Sequence, residues 1–387
     1  MNLSINKHLS KEEIIKNGSI FTPEYIVDLV YSMISGKIDN NSVVIDFGAG
    51  YGAFISRFEQ LKAKKFIATD CDELSIEFLK KYDSCVNTIC ENSLKNIVRS
   101  KYASNAEDII VVGNPPYNDV TSQYKKGEKG SFEIDDDVFA RDVGISFLKM
   151  YSKIDAKYIC VLHPLSYLCK KNNFSSLGEF SKRYKLINGI LFSSKHFESI
   201  NKINAEFPVV AALYERNDDG MSFNDVLNFK FSIFQTEKTF VLSSYKTIDG
   251  IVDKYPTKNK EDSDLQFYTI RDINALKRNK SFLTGHCNNG ILVNKDNLKY
   301  YAWLDFFKCH FFAGDFEYLF GNLSPLTTDK IRDKKFVDAL LGYIMNENKI
   351  VARFYKENDP SFYEKYSSLS YDESLLLCEC SRLSKVD

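Results

Sequence analysis

Seven short apolar segments between residues 43 and 216 constrain this chain more than any other feature. They are VVIDFG (43–48), KFIATD (65–70), VNTIC (86–90), DIIVVG (108–113), KYICVLH (157–163), LINGILFS (186–193) and PVVAALYER (208–216). Most are apolar nearly throughout instead of alternating, the mark of strands covered on both faces. Helical patterns lie among the first five, in AFISRFEQLK, DELSIEFLKKY and VFARDVGISFLKMYSKI. Strand and helix in alternation predict an α/β fold built on a parallel sheet. The last two segments have no clear helix between them, so an antiparallel pair closing one edge is expected. A further helix, FTPEYIVDLVYSMIS (21–35), enters through Thr22-Pro23, where the missing proline N–H costs little.

After residue 217 the pattern changes. Polar stretches such as NDDG and SSYKTIDG interrupt short aromatic segments such as FKFSIFQ and YAWLDFFKCHFF. A boundary near Asp218–Gly220 divides the chain into 1–217 and an α+β domain over 218–387, whose clearest helix is KKFVDALLGYIMN (334–346). At 387 residues and 44% hydrophobic, the chain is long enough for two such domains. No apolar run approaches the ~18 residues of a membrane span. The polar, mixed-charge N-terminus reads as neither a signal nor a transit peptide. Nine cysteines are scattered without a CxxC pair; Cys378-x-Cys380 is a weak metal signal. Reduced thiols in a cytoplasmic protein without a metal are the plainer expectation. The net charge of −1 means that any case for nucleic acid rests on local basic clusters.

Two motifs carry chemistry. DFGAGYG, Asp46 to Gly52, joins a strand to a helix with glycines at 48, 50 and 52. It is neither the dinucleotide GxGxxG nor a P-loop, since no Lys-Ser/Thr follows. An acid two residues ahead of the first glycine suits a ligand with a positive amino group. Asp70, ending the second strand, stands where an acid accepts from ribose hydroxyls. Asn92, after the third strand, is placed to read an adenine amine. Together these describe an adenosine bearing an amino acid, S-adenosylmethionine; a glycine turn among solvated acids is the plain alternative. The fourth strand then runs into Asn114-Pro115-Pro116-Tyr117. The prolines stop the strand at the edge where α/β folds bind ligands. The Asn114 side chain and the Pro115 carbonyl offer two acceptors to one –NH2 group, and Tyr117 offers a flat face. Such a grip favours a pyramidal amine with a localised lone pair. A strand-ending turn with a buried tyrosine is the alternative.

FTPEYIVDLV, VIDFGAGYGAF, FIATD, CENSL and GNPPY resemble, in this order, the motifs of the amino-group methyltransferases. With the recognition domain last, the chain resembles the gamma-type N6-adenine DNA methyltransferases over roughly residues 20–216. The resemblance implies a Rossmann-like S-adenosylmethionine-dependent methyltransferase sheet followed by a target-recognition domain. Phe21, Thr22 and Pro23 would line the methionine end of the cofactor. Asp46, Gly48 and Gly50 would form its loop, Asp70 would take its ribose and Asn92 its adenine. Here Asn92 and Ser93 stand where the family more often has Asp and an aromatic. Asn114, Pro115 and Pro116 would hold the target amine, and Tyr117 would stack on a base flipped out of double-stranded DNA. A second aromatic normally packs on the other face of that base: Phe197 is the candidate and Phe207 the reserve, though either could be a core ring. Lys125, Lys126 and Lys129, and the cluster of Arg271, Lys277, Arg278 and Lys280, are candidate DNA contacts or plain solvated faces. The family implies a monomer on DNA, often with a partner restriction endonuclease. RNA or protein-glutamine methyltransferases, which also present an sp2-linked –NH2 to such a corner, stay open. So does a non-catalytic DNA-binding subunit.

Overall fold

A computed structural model of the chain describes residues 21–82, 85–117, 133–197, 206–311 and 314–387. The expected strands form: β1 (Ser42–Phe47), β2 (Lys65–Asp70), β3 (Asn87–Cys90), β4 (Asp108–Gly113), β5 (Tyr158–Pro164), β6 (Tyr184–Ser193) and β7 (Pro208–Arg216). β1 and β5 are buried along their whole length, which is why their sequences carry no polar alternation. The helices are α1 (Glu24–Ile34) before β1, α2 (Ala53–Phe58) after it, α3 (Glu73–Tyr82) after β2 and α4 (Val143–Lys153) before β5. Ile26, Val27, Val30 and Ile34 form the buried face of α1. In α4 the N-cap is Asp142, whose carboxylate accepts from Gly144 N at 3.0 Å.

The sheet has nine strands in the order β3-β2-β1-β4-β5-β7-β6-β8-β9. β3 through β5 in that order pair in parallel. β7 is antiparallel to both β5 and β6, so β6 again runs parallel to β5. The expected antiparallel pair therefore exists, but it does not close the edge. β8 (Phe231–Ile233) pairs in parallel with β6, Ile190 facing Ser232 and Leu191 facing Ile233, and β9 (Thr239–Phe240) follows antiparallel. Because these two strands complete the sheet, the first compact unit runs on to Leu242 instead of ending at 217. Strand order reverses between β1 and β4, the switch point where open α/β sheets leave a crevice for ligands.

The second unit runs from Ser243 to Asp387. It contains a three-stranded antiparallel sheet, with β10 (Gln266–Tyr268) between β11 (Phe282–Leu283) and β12 (Gly290–Leu292). Helices follow: α5 (Leu298–His310), α6 (Lys334–Glu347), α7 (Lys349–Asn358), α8 (Pro360–Ser367) and α9 (Glu373–Leu383). The buried Trp303 of α5 donates its indole N–H to Leu326 O at 2.8 Å. On α9 the fully buried Glu379 carboxylate accepts from Thr328, and from Arg382 at 2.7 Å. Burial alone would raise its pKa; the Arg382, Thr328 and Lys330 bonds outweigh that and hold it down at about 2. Among the described residues no helix is long and apolar enough to cross a membrane.

Candidate active site at the carboxyl edge of the sheet

The glycine turn and the Asn-Pro-Pro-Tyr corner leave adjacent parallel strands at the same edge. Gly48, Gly50 and Gly52 all adopt positive φ, +78°, +50° and +80°, a conformation that side chains disfavour. Backbone N–H groups of Gly48 and Ala49 donate to Thr69 O at 2.8 and 3.0 Å, which folds the turn back over β2. Gly50 N donates to the Asp70 carboxylate at 2.8 Å, and Asp72 N donates to its other oxygen at 2.9 Å. Asp70 therefore anchors the turn as well as standing at the strand end; each of its oxygens keeps a lone pair for a further donor. A Cβ on Gly48 would lie 3.7 Å from the Pro116 ring, so turn and corner are close neighbours.

Asp46 is the most telling residue. It is 1% exposed, and neither carboxylate oxygen has a hydrogen-bond partner. Burial pushes its pKa well above the usual carboxylate range, and the neighbouring Asp70 charge adds to the rise. A buried acid left unpaired is costly, and native folds rarely keep one without a use. Gly113 leaves room for it: at φ +143° a Cβ there would sit 2.4 Å from Asp46 Oδ1. A positively charged amino group would pair with this carboxylate, and Asp70, whose oxygens each accept one backbone N–H of the same region, keeps lone pairs that a diol could meet. The acceptors present thus fit an adenosine that carries an amino acid.

At the corner, Asn114 Nδ2 donates to Thr22 Oγ1 at 3.0 Å, and the Tyr117 hydroxyl donates to Asn114 Oδ1 at 2.5 Å. Thr22 is buried, so this bond is shielded from solvent. It fixes which way the amide faces, with Nδ2 toward α1 and Oδ1 toward the tyrosine. Pro115 is buried, and among the described residues no hydrogen bond reaches its carbonyl. Burial raises the Tyr117 phenol above its ordinary pKa; the Asn114 bond opposes this and the Asp142 charge adds to it. Tyr117 is thus a neutral donor at neutral pH.

Asp142, outside both motifs, sits in the Tyr117 field and also accepts from the Tyr167 hydroxyl. Its position before a helical pattern, an N-cap signal, would have marked it. Phe21 and Pro23 flank Thr22 and are half-buried. Asn92 is engaged at both ends: Nδ2 donates to Glu133 O, far along the chain, at 2.7 Å, and Oδ1 accepts from Leu94 N at 3.1 Å. One Nδ2 hydrogen and one Oδ1 lone pair are left over for a ligand. Phe197 is fully buried and packs edge-on against Phe192 at 5.8 Å, so it presents no face to a base. Phe207 is half-buried and groups with the second unit.

Lys125, Lys126 and Lys129 lie outside the described residues. Arg271, Lys277, Arg278 and Lys280 sit on or beside the short helix Ile273–Arg278 and are exposed. Lys277 is ion-paired with Glu317, which spends much of its charge. Arg271, Arg278 and Lys280 are the stronger phosphate candidates of the four.

No family model and no curated protein matches the chain. Solved structures do resemble it. A protein assigned as an RNA methyltransferase from Pyrococcus horikoshii shares 18% identity, over 52% of this chain and 88% of its own, at a TM-score of 0.35. A modification subunit assigned to a type I restriction enzyme of Vibrio vulnificus shares 12%, over 60% of this chain and 52% of its own, at 0.41. A dimethyladenosine transferase from Plasmodium falciparum shares 15%, over 51% of this chain and 64% of its own, at 0.33. Scores this low carry no weight for substrate or mechanism.

Proposed function

We propose that the chain is an S-adenosylmethionine-dependent methyltransferase acting on the exocyclic N6 amine of adenine in DNA. One observation carries the reading: Asn114, its amide oriented by Thr22 and Tyr117, directly follows Gly113, which backs onto the unpaired Asp46 carboxylate of the neighbouring strand. Asp46 would hold the amino group of the cofactor, the glycine turn its amino-acid backbone and Asp70 its ribose. When bound, the cofactor supplies an electrophilic methyl on a sulfonium.

Asn114 Oδ1 accepts one N–H of the target amine, sharing the oxygen with the Tyr117 hydroxyl, while the Pro115 carbonyl accepts the other. These two acceptors favour the localised lone pair, and Tyr117 packs on the ring. Asn114 is neutral and takes no proton; the methylated amine is acidic enough to lose one to solvent. Positioning and fixed dipoles supply the rate. The second unit would read the DNA site, with Arg271, Arg278 and Lys280 on phosphates. In this reading the protein is a DNA-bound monomer, alone or alongside a restriction endonuclease.

Methyl transfer from labelled S-adenosylmethionine to duplex DNA, RNA and glutamine-bearing peptides tests the substrate class. Label in DNA as N6-methyladenine, abolished by Asn114→Ala, supports the reading. Label only in RNA or peptide refutes the DNA claim, and DNA binding without transfer makes the chain a binding subunit.

A further inference from the structure

A carboxylate beside the corner is braced by side chains that belong to neither motif. Tyr167 lies on the short helix Ser166–Cys169, just past the end of β5, and is buried. Its ring stacks on the buried His163, with centres 5.3 Å apart and planes 13° from parallel. His163 is itself fixed. Its Nδ1 is 3.0 Å from Pro164 O, which can only accept, so Nδ1 carries the proton and Nε2 accepts from the Tyr214 hydroxyl at 2.7 Å. Burial lowers the His163 pKa to about 4 against the Pro164 bond, so the imidazole is neutral at neutral pH. On this uncharged plate the Tyr167 hydroxyl donates to Asp142 Oδ1, the oxygen that also accepts from Gly144 N at 3.0 Å. Gly144 makes the approach possible, since a Cβ there would overlap the Tyr167 hydroxyl. A helix cap needs only one acceptor. Here the capping carboxylate is gripped by a second, buried donor, and that donor is held by a stacked ring. Bracing of this kind fixes where a charge sits.

Topology brings the braced carboxylate to the corner. β4 and β5 are parallel neighbours, so Tyr117, past the end of β4, and Tyr167, past the end of β5, leave the sheet at the same edge. α4 delivers its C-terminus to the start of β5, so its N-cap Asp142 lies at that edge as well. Burial raises the pKa of both phenols, and the Asp142 charge adds to each rise. Tyr117 in turn donates to Asn114 Oδ1. Asp142 needs no spare lone pair for a role here, because it acts through its charge.

We propose that Tyr167 and Asp142 are a positioning pair that fixes a negative charge beside Tyr117, where it stabilises the positive charge that methyl transfer places on the target amine. This rests on the functional reading above. In that reaction the amine nitrogen bonds to the methyl carbon while the carbon–sulfur bond breaks and its electron pair stays on sulfur. The nitrogen gains one positive charge and sheds a proton to solvent afterwards. The Asn114 amide and the Pro115 carbonyl are neutral dipoles, and Asp46 is committed to the cofactor amino group. Asp142 supplies the opposite charge on the target side.

The test uses the full chain and its duplex DNA substrate. Asn caps a helix as well as Asp and can accept the same two bonds, so Asp142→Asn removes the charge alone. The expected result is wild-type melting temperature and wild-type Kd for DNA and for S-adenosylhomocysteine, with single-turnover methyl transfer about 10-fold slower or more. Tyr167→Phe keeps the stacked ring, loses the hydroxyl and slows the same step. Added to Asp142→Asn it slows nothing further, because the charge it positions is gone. A wild-type rate in Asp142→Asn would overturn the proposal, whether or not melting temperature or either Kd changes. Rates that multiply in the double variant would overturn it too. Asn114→Ala separates the two claims. If it is inactive while Asp142→Asn runs at full rate, the positioning pair alone is wrong. If it stays active, or the wild type transfers nothing to DNA, the functional reading fails and the pair with it.

Discussion

Replacing Asp46 with Asn probes the cofactor side of the site. The carboxylate is buried and unpaired, and desolvation, with the Asp70 charge adding to it, raises its pKa well above the usual carboxylate range. Its folded pKa lies above its unfolded value, so the sign of the linkage is fixed. Below the unfolded pKa both states are protonated and nothing is lost. As pH rises toward the folded pKa, the unfolded chain ionises first and folding stability falls. The fall is at most about 1.4 kcal/mol per pH unit from this group. With a melting shift of about 2–4 °C per kcal/mol in a domain of this size, the wild type should lose melting temperature relative to Asp46→Asn by at most about 3–6 °C per pH unit. Asn cannot titrate, so this component vanishes in the variant. The cofactor reverses the effect: its ammonium favours the ionised carboxylate, so wild-type affinity should rise with pH through the folded pKa. In Asp46→Asn the charge-assisted bond is gone, at about 1.5–3 kcal/mol, or about 10- to 150-fold in Kd. Calorimetric titration with S-adenosylhomocysteine reads this. Methylthioadenosine, which lacks the amino acid, is the control and should bind both proteins alike. Equal loss of both ligands, or full retention of the first, would refute the pairing of Asp46 with an amino group.

Three further outcomes follow from the same contacts. Thr22→Val removes the acceptor that orients the Asn114 amide, and kcat should fall about 10-fold or more with Thr22→Ser recovering most of it; an unchanged kcat in Val would show the bond to be incidental. Gly113→Ala forces a methyl to within 2.4 Å of Asp46 Oδ1, and thermal melts should show a loss of about 1–3 kcal/mol together with weaker cofactor binding. Arg278→Ala should lower the salt dependence of DNA affinity by about one unit of log–log slope, whereas Lys277→Ala, whose charge already pairs with Glu317, should change it less; equal effects would remove the distinction.

Much of the fold was legible because whole segments agreed. Val43, Val44 and Ile45, or Ile109 to Val112, cannot be half-exposed strands, and the parallel core followed from that. β8 and β9 escaped because Phe231–Ile233 and Thr239–Phe240 are too short for a period to show, which is why the boundary was placed before them instead of after Leu242. The turn and the corner were legible because glycine and proline report backbone shape directly, and the two lie side by side at Gly48 and Pro116. Which aromatic residue is buried was not legible: Phe197 and Tyr25 are both aromatic residues near apolar runs, and only packing separates the buried one from the exposed one. The backbone ties of Asn92 were not legible either, since a short amide can hold neighbouring backbone as well as a ligand.

The central claim is methylation of adenine N6 by the Asn114 corner. Its most direct test is to express the chain in a host lacking DNA methylation and map modified bases across the genome. The account predicts N6-methyladenine within a single recurring sequence, absent when Asn114→Ala is expressed at the same level. Modified cytosine, modification confined to RNA, or a pattern that persists with Asn114→Ala would contradict it.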